Sequence, residues 1–307
     1  ETYCKRVFGN FRWVIKMKNI VYKMLVYIEQ SYIVRCIPDK IFIWLSYFLR
    51  TRKILHWNNP TLYNEKIQWL KIYDRNPDYS KLVDKQAAKE WVSEKLGEEY
   101  VFPTLGIWNK FDDINFDELP EQFVLKCTHD SGGVLVCKDK AMLNYEKEKK
   151  FFEWHMKRNY YWHGRQWHYN GVKPRIIAEK YMVDESQKEL KDYKVFCFHG
   201  EPKVIQVDFG RYEKHERNLY TPEWEYIPAQ IKYPTNPSHQ IEKPVILDEL
   251  LRCARILSDG MRHVRVDFYI IGNKLYFGEM TFYHGDGCEK FTPPEFERIM
   301  GDWIDVK

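Results

Sequence analysis

The sequence predicts an α+β fold in which helices mix with antiparallel hairpins and neighbouring sheets enclose a cleft. Three observations carry this. Apolar residues recur at helical spacing over 61–73 and from Asp84 to Gly97. The pattern changes to period two at 123–127, 134–137, 193–198 and 203–209. A second hairpin pattern closes the chain over 263–281. A length of 307 residues provides about two domains and a substantial core.

Residues 1–60 hold eleven Lys and Arg against Glu1, Glu29 and Asp39, so the remaining chain is slightly acidic. The longest uncharged apolar run there is 41–49, far short of the roughly 20 residues of a spanning helix. A basic, aromatic-rich helical extension over 1–58 fits two arrangements. It could lie on an anionic membrane surface, or dock on the body through its apolar face. No RNA- or DNA-binding motif accompanies the charge, so nucleic acid is not an expected partner. The seven cysteines are scattered and form no Cys-x-x-Cys pair. Reduced, buried thiols in a cytoplasmic protein are expected. No secretory signal pattern is visible at the N-terminus.

Asn58-Asn59-Pro60 breaks the chain and starts the next helix, with Tyr63, Ile67 and Leu70 on one face. Asp84 is the expected N-cap of a helix that Gly97 stops. These helices make 59–118 a helical region ahead of the first sheet. Strands 123–127 and 134–137 flank the loop Thr128-His129-Asp130-Ser131-Gly132-Gly133. A charged helix is expected from about 142 to 158, and a strand over 175–182. A Pro-rich irregular stretch, 222–244, precedes a helix over 247–258 that Gly260 ends. A polar tail loop follows the last hairpin.

The last hairpin is the most informative place. Arg265 and Asp267 share one strand face, while Val264, Val266 and Phe268 take the other. Glu279 lies on the return strand. A two-residue Gly272-Asn273 turn would put Asp267 and Glu279 on opposite faces; a three-residue loop would set them opposite each other. In the second register their Cβ atoms stand about 5 Å apart. Two carboxylates so close repel, and a hard divalent cation such as Mg²⁺ relieves the conflict. In the first register both acids are solvated or paired to lysines. Lys126, inside an apolar strand and followed by Ser131-Gly132-Gly133, suits phosphate oxygens: glycines admit backbone N–H groups and lysine adds charge. The same pattern also describes a surface hairpin.

Taken in order, the motifs NPTLYNEKIQWLK (59–71), VDKQAAKEWV (83–92), LPEQFVLKCTHDSGG (119–133), PRIIAEKYM (174–182), LKDYKVFCFHGEPKVIQV (190–207) and RVDFYIIGNKLYFGEMTFYHGDG (265–287) resemble the ATP-grasp superfamily. More closely, they are similar to its TupA-like family, associated with teichuronopeptide and capsular polysaccharide synthesis. The resemblance implies two α+β subdomains enclosing a nucleotide cleft, 119–182 with the phosphate loop and 183–307 with the metal hairpin. It implies ATP and Mg²⁺ as cofactors. Lys85, Lys126, Ser131, Gly132 and Gly133 would hold phosphates. Glu179, Lys180, Tyr181 and Met182 would meet the adenosine end. Asp267, Glu279 and Thr281 would ligate the metal, Thr281 standing where many relatives have asparagine. Arg265 and Lys194 are the candidate catalytic cations, and Arg211, Arg217 and His284 candidate substrate contacts.

The implied reaction is carboxylate–amine ligation through an acylphosphate, on an acidic sugar or amino acid plus an amine. A glycosyltransferase, an ATP-grasp kinase and a non-catalytic scaffold are the rival readings. No two aspartates are separated by one residue, which disfavours a metal-dependent nucleotide-sugar enzyme. Lys126→Ala and Asp267→Asn are each expected to abolish ADP release and leave the fold intact. The location implied is cytoplasmic, with peripheral contact at the inner membrane face through 1–58.

Overall fold

The computed structural model describes residues 31–183, 190–210, 215–239 and 241–306. Residues 1–30 of the basic extension therefore lie outside the described residues, as does Arg211.

A short helix α1 (Tyr32–Arg35) leads into α2 (Asp39–Thr51). Ile43 and Tyr47 of α2 are buried with Leu55 in a small core against Phe42, Trp57 and Ile72. Asp39 accepts from Arg75 and Tyr161, each at 2.6 Å, and Lys53 reaches Glu297 at 2.8 Å. This part of the extension is thus a layer docked on the body. Its other face leaves Ile41, Trp44, Leu45, Phe48 and Leu49 exposed.

Helix α3 (Tyr63–Tyr73) starts where Glu65 accepts from the N–H groups of Thr61 and Leu62, at 2.9 and 3.0 Å. After α4 (Tyr79–Val83), the Asp84 carboxylate caps α5 (Lys85–Leu96) by accepting from Gln86 and Ala87. The expected cap is the observed one.

Strands β1 (Thr104–Trp108), β2 (Phe123–Cys127), β3 (Val134–Cys137) and, after helix α6 (Tyr145–Met156), β4 (Ile176–Lys180) form an antiparallel sheet ordered β1-β4-β2-β3. Its core holds Phe123, Leu125, Phe152, Ile176 and Ala178. The alternation along β2 buries Phe123, Leu125 and Cys127 and turns Val124 and Lys126 to the other face. Strand β1 escapes a periodicity reading because it is an edge strand with Leu105 and Ile107 exposed.

The second sheet contains β5 (Asp192–Phe198), β6 (Glu201–Phe209), β7 (Glu216–Tyr220), β8 (Tyr226–Ile227) and, beyond the pair-forming β9 (Gln230–Ile231) and helix α7 (Leu247–Ser258), β10 (His263–Ile271) and β11 (Lys274–Thr281). Its order is β11-β10-β5-β6-β7-β8, antiparallel throughout. Helix α7 covers one face with Leu247, Leu250, Leu251, Ala254 and Leu257, which share one core with Val195, Val264, Val266, Phe268 and residues of α3 to α5. The expected tail loop holds β12 (Phe291–Thr292), paired with β9, and helix α8 (Pro294–Asp302). Pro294 at its first turn and buried Phe296 and Met300 four residues apart explain this helix.

Candidate active site

The two sheets face each other across a cleft of about 410 Å³. Lys126 of β2 and Glu179 and Lys180 of β4 line it from one side. Asp192 and Lys194 of β5, Asp267 of β10, and Glu279 of β11 line it from the other. Tyr181 and Met182, which follow β4, and Lys85 at the start of α5 complete the lining among the sequence-derived candidates.

Strands β10 and β11 meet at Ile271 and Lys274, so the turn is the two-residue Gly272-Asn273, both residues left-handed at φ 56° and 57°. Such a turn was expected to separate the two acids. Yet Asp267 pairs with Glu279, because Phe268 pairs with Phe277 and Gly278 is an extra residue in a β-bulge. The bulge does the work expected of a third turn residue. A glycine fits there: a Cβ at 278 would stand 3.0 Å from the Asp267 carbonyl oxygen and from the Tyr269 ring.

Asp267 is 2% exposed. Arg265 grips it with Nε and Nη2 at 2.6 and 2.7 Å, and Lys194 Nζ donates to Oδ2 at 2.6 Å. Burial alone would raise the Asp267 pKa, but these two cations hold the carboxyl below the usual range. Arg265 Nη2 also donates to the Thr281 hydroxyl at 3.1 Å and lies 3.5 Å from Glu279. The Glu279 side chain is 48% exposed. The donors are oxygens on adjacent strands, which fits a hard cation holding water and phosphate in its other positions. Glu279 offers the open carboxylate, Asp267 shares its oxygens with two cations, and Thr281 serves Arg265. Among the described residues no set of three or more His, Cys, Asp or Glu side chains is gathered for a metal.

Opposite them, Glu179 is clamped between Lys126 at 2.6 Å and Lys89 at 2.8 Å. Burial opposes its charge, but Lys126 and Lys89 pull its pKa down to about 2. Lys89 lies within the 83–92 motif but was assigned no role there; its signal was its position one turn after Lys85 on α5. Lys85 Nζ donates to the Asp130 carbonyl at 2.5 Å and its N–H to the Thr128 carbonyl at 3.0 Å, tying the β2–β3 loop to α5. Ser131 and Gly132 are exposed in that loop, and Gly132 has φ 95°.

The proposed substrate contacts fall elsewhere. Arg217 lies on β7 rather than in a loop. It is buried against Asp208 at 2.6 Å and donates to the Ile231 carbonyl. His284 is buried against Phe196, and burial followed by the Arg265 charge holds its imidazole neutral. The described cysteines are free, four of them buried.

A family model described as TupA-like ATP-grasp matches residues 65–305. No curated protein matches the chain. Among solved structures, a D-alanine–D-alanine ligase from Bacillus anthracis complexed with ATP is similar at 18% identity and a TM-score of 0.40, covering 66% of this chain and 54% of that one. A D-alanine–D-alanine ligase from Helicobacter pylori aligns at 16% identity and a TM-score of 0.43, covering 79% and 69%. N5-carboxyaminoimidazole synthetase from Staphylococcus aureus aligns at 16% and 0.39, covering 66% and 44%. The aligned part thus spans just over half the length of the Bacillus ligase.

Proposed function

The chain belongs to the TupA-like ATP-grasp family, and from that premise we propose that it is an ADP-forming carboxylate–amine ligase. It would use Mg²⁺-ATP to build an amide on a uronic acid or amino acid in the synthesis of capsular or other cell-surface polysaccharide. One observation carries the reading: Lys126 on one sheet and Asp267 and Glu279 on the other line a single cleft.

In this reading Lys85 and Lys126 hold phosphate oxygens, the Ser131-Gly132-Gly133 loop covers them, and the stretch from Glu179 to Met182 borders the adenosine end. Asp267 and Glu279, assisted by Thr281, would hold Mg²⁺, which when bound neutralises phosphate charge as a Lewis acid. A substrate carboxylate oxygen attacks the γ-phosphorus and the bond to ADP breaks, leaving an acylphosphate. An amine nitrogen then attacks the acyl carbon, the C–O bond to phosphate breaks, and the nitrogen loses a proton. Positioning and charge carry the first step. Arg265 and Lys194, held beside Asp267, would stabilise the anionic charge that develops. Arg211 remains a candidate substrate contact; Arg217 would first have to leave Asp208.

The exposed apolar face of α2, with Arg52 exposed just past its end, supports peripheral contact of 1–58 with an anionic membrane surface from the cytoplasm; Lys40 and Lys53 turn to the body instead, at Tyr73 and Glu297. Among the described residues no helix is long and apolar enough to cross a membrane. Flotation with anionic but not neutral vesicles is expected, and its absence removes this part.

The ligase test is ADP release with hydroxylamine as trapping amine, across a panel of uronic and amino acids. Hydroxamate formation is expected with one class. ADP release independent of every carboxylate would support a kinase, and no ATP turnover or binding would sink the reading.

A further inference from the structure

We propose that a second cavity, behind the β2–β3 loop, binds the acid to be activated, and that this acid is a uronate. The inference rests on the ligase reading above and names its substrate site. The cavity holds about 330 Å³ and is lined by His129, Arg158, Tyr160, Tyr169 and the exposed Lys157 and Lys173, with no acidic residue in its wall.

Arg158 is only 5% exposed, yet its Nε and Nη1 make no hydrogen bond. Its nearest anion, Asp130 Oδ2, is 3.7 Å away and is already held by His155. The guanidinium is fixed over the rings of Trp154 and Tyr160, at 4.5 and 5.6 Å. A buried guanidinium short of acceptors is costly, and a carboxylate oxygen brought to Nη1 supplies one where Asp130 stands too far away. His129 adds the complementary group. Its Nε2 lies 3.1 Å from the His155 carbonyl, which can only accept, so Nε2 carries the hydrogen and Nδ1 is a bare acceptor. That Nδ1 is buried without a partner and suits a ring hydroxyl. The edge-packed rings of Tyr160 and Tyr169, 4.7 Å between centroids, form an apolar wall for a sugar face.

One residue connects this cavity with the proposed phosphate end of the cleft. Asp130 turns its carbonyl to Lys85 in the nucleotide cleft and its carboxylate toward Arg158 in this cavity. An acid held here would lie beside the phosphoryl group it attacks.

The test is saturation-transfer NMR on the full chain with Mg-ADP present, using glucuronate, galacturonate and uncharged methyl galactoside, alongside Mg-ATP affinity by calorimetry. A uronate should bind and the neutral sugar should not. Arg158→Met should weaken uronate binding about tenfold or more, Lys173→Glu should weaken it by a smaller factor, and both should keep wild-type Mg-ATP affinity. Absence of uronate binding in the wild type, unchanged binding in Arg158→Met, or joint loss of uronate and Mg-ATP in that variant would overturn the proposal. A wild-type protein that fails to bind Mg-ATP would instead overturn the ligase reading.

Discussion

Asp267 is bound to Arg265 and Lys194, and in the proposed function it would also serve a metal; the two duties separate the two acids experimentally. Replacing it by asparagine leaves two poorly exposed cations short of their counter-ion, a loss of about 3–5 kcal/mol for broken buried pairs. The sequence-based expectation that Asp267→Asn spares the fold is therefore revised. Glu279, half exposed, is the cleaner probe: Glu279→Gln should lower ADP release about 10²–10³-fold with a melting curve like the wild type, whereas Asp267→Asn should lose both. Equal unfolding of the two variants would contradict the geometry. Glu179 makes a different prediction. Its folded pKa of about 2 lies below its ordinary value of 4.5, so its stabilisation is complete above pH 4.5 and is lost as pH falls toward 2. That shift is worth about 3 kcal/mol at most; burial holds Lys89 below its usual range, which reduces the net gain. Acid titration of stability should be shallower in Glu179→Gln, and identical slopes would remove the role. At this scale the shared face of Arg265 and Asp267 and the placement of Lys126 were legible from strand alternation, whereas the side taken by Glu279 was not, because the bulge at Gly278 sets it. Arg158 and Lys89 were not: their significance comes from neighbours more than 25 residues away in the chain.

The hairpin of β10 and β11 shows how an element can reach an expected arrangement by an unexpected route. Turn chemistry and alternation were readable in Gly272-Asn273 and in the Val264-Val266-Phe268 face. The bulge was not, because Gly278 reads as an ordinary weak strand residue until its partner strand is known. Gly278→Ala places a methyl against the Asp267 carbonyl and the Tyr269 ring. It should cost about 1–3 kcal/mol in urea unfolding and weaken Mg-ATP binding, since residue 278 lines the cleft. Wild-type behaviour in both measurements would show that the bulge does not control the site. Strands β1 and β7 were missed for related reasons. One is an exposed edge; the other, Glu216–Tyr220, is buried along its whole length and so has no alternation.

At the level of the whole molecule, the two sheets have separate hydrophobic cores, one around Phe123, Leu125 and Phe152, the other around Val195, Val266 and Leu250. The cleft between them carries lysines and acids on both walls beside apolar residues such as Phe102, Val124 and Leu190, so a nucleotide bridging lysines and acids adds contacts that neither core supplies. At 100 times its Kd, Mg-ATP should stabilise the protein by about 2.7 kcal/mol, readable as a melting shift of a few degrees. ATP without a divalent cation should give less. No shift with Mg-ATP, or an equal one with UDP-glucose, would count against the nucleotide assignment. The two-sheet architecture was readable from strand patterns, but the helical layer of α3 to α5 joins the second core, a choice made by packing that no local pattern records.

In the proposed reaction Asp130 would touch both sides at once, its carbonyl toward Lys85 and its carboxylate toward Arg158. Any ligand that pulls on one end shifts the other, and such coupling is reciprocal by thermodynamic necessity. Acid and nucleotide should therefore alter each other's affinity by one common factor, so that neither is turned over efficiently alone. A peptide unit of a single residue would then act as the enzyme's guard against wasting ATP on water.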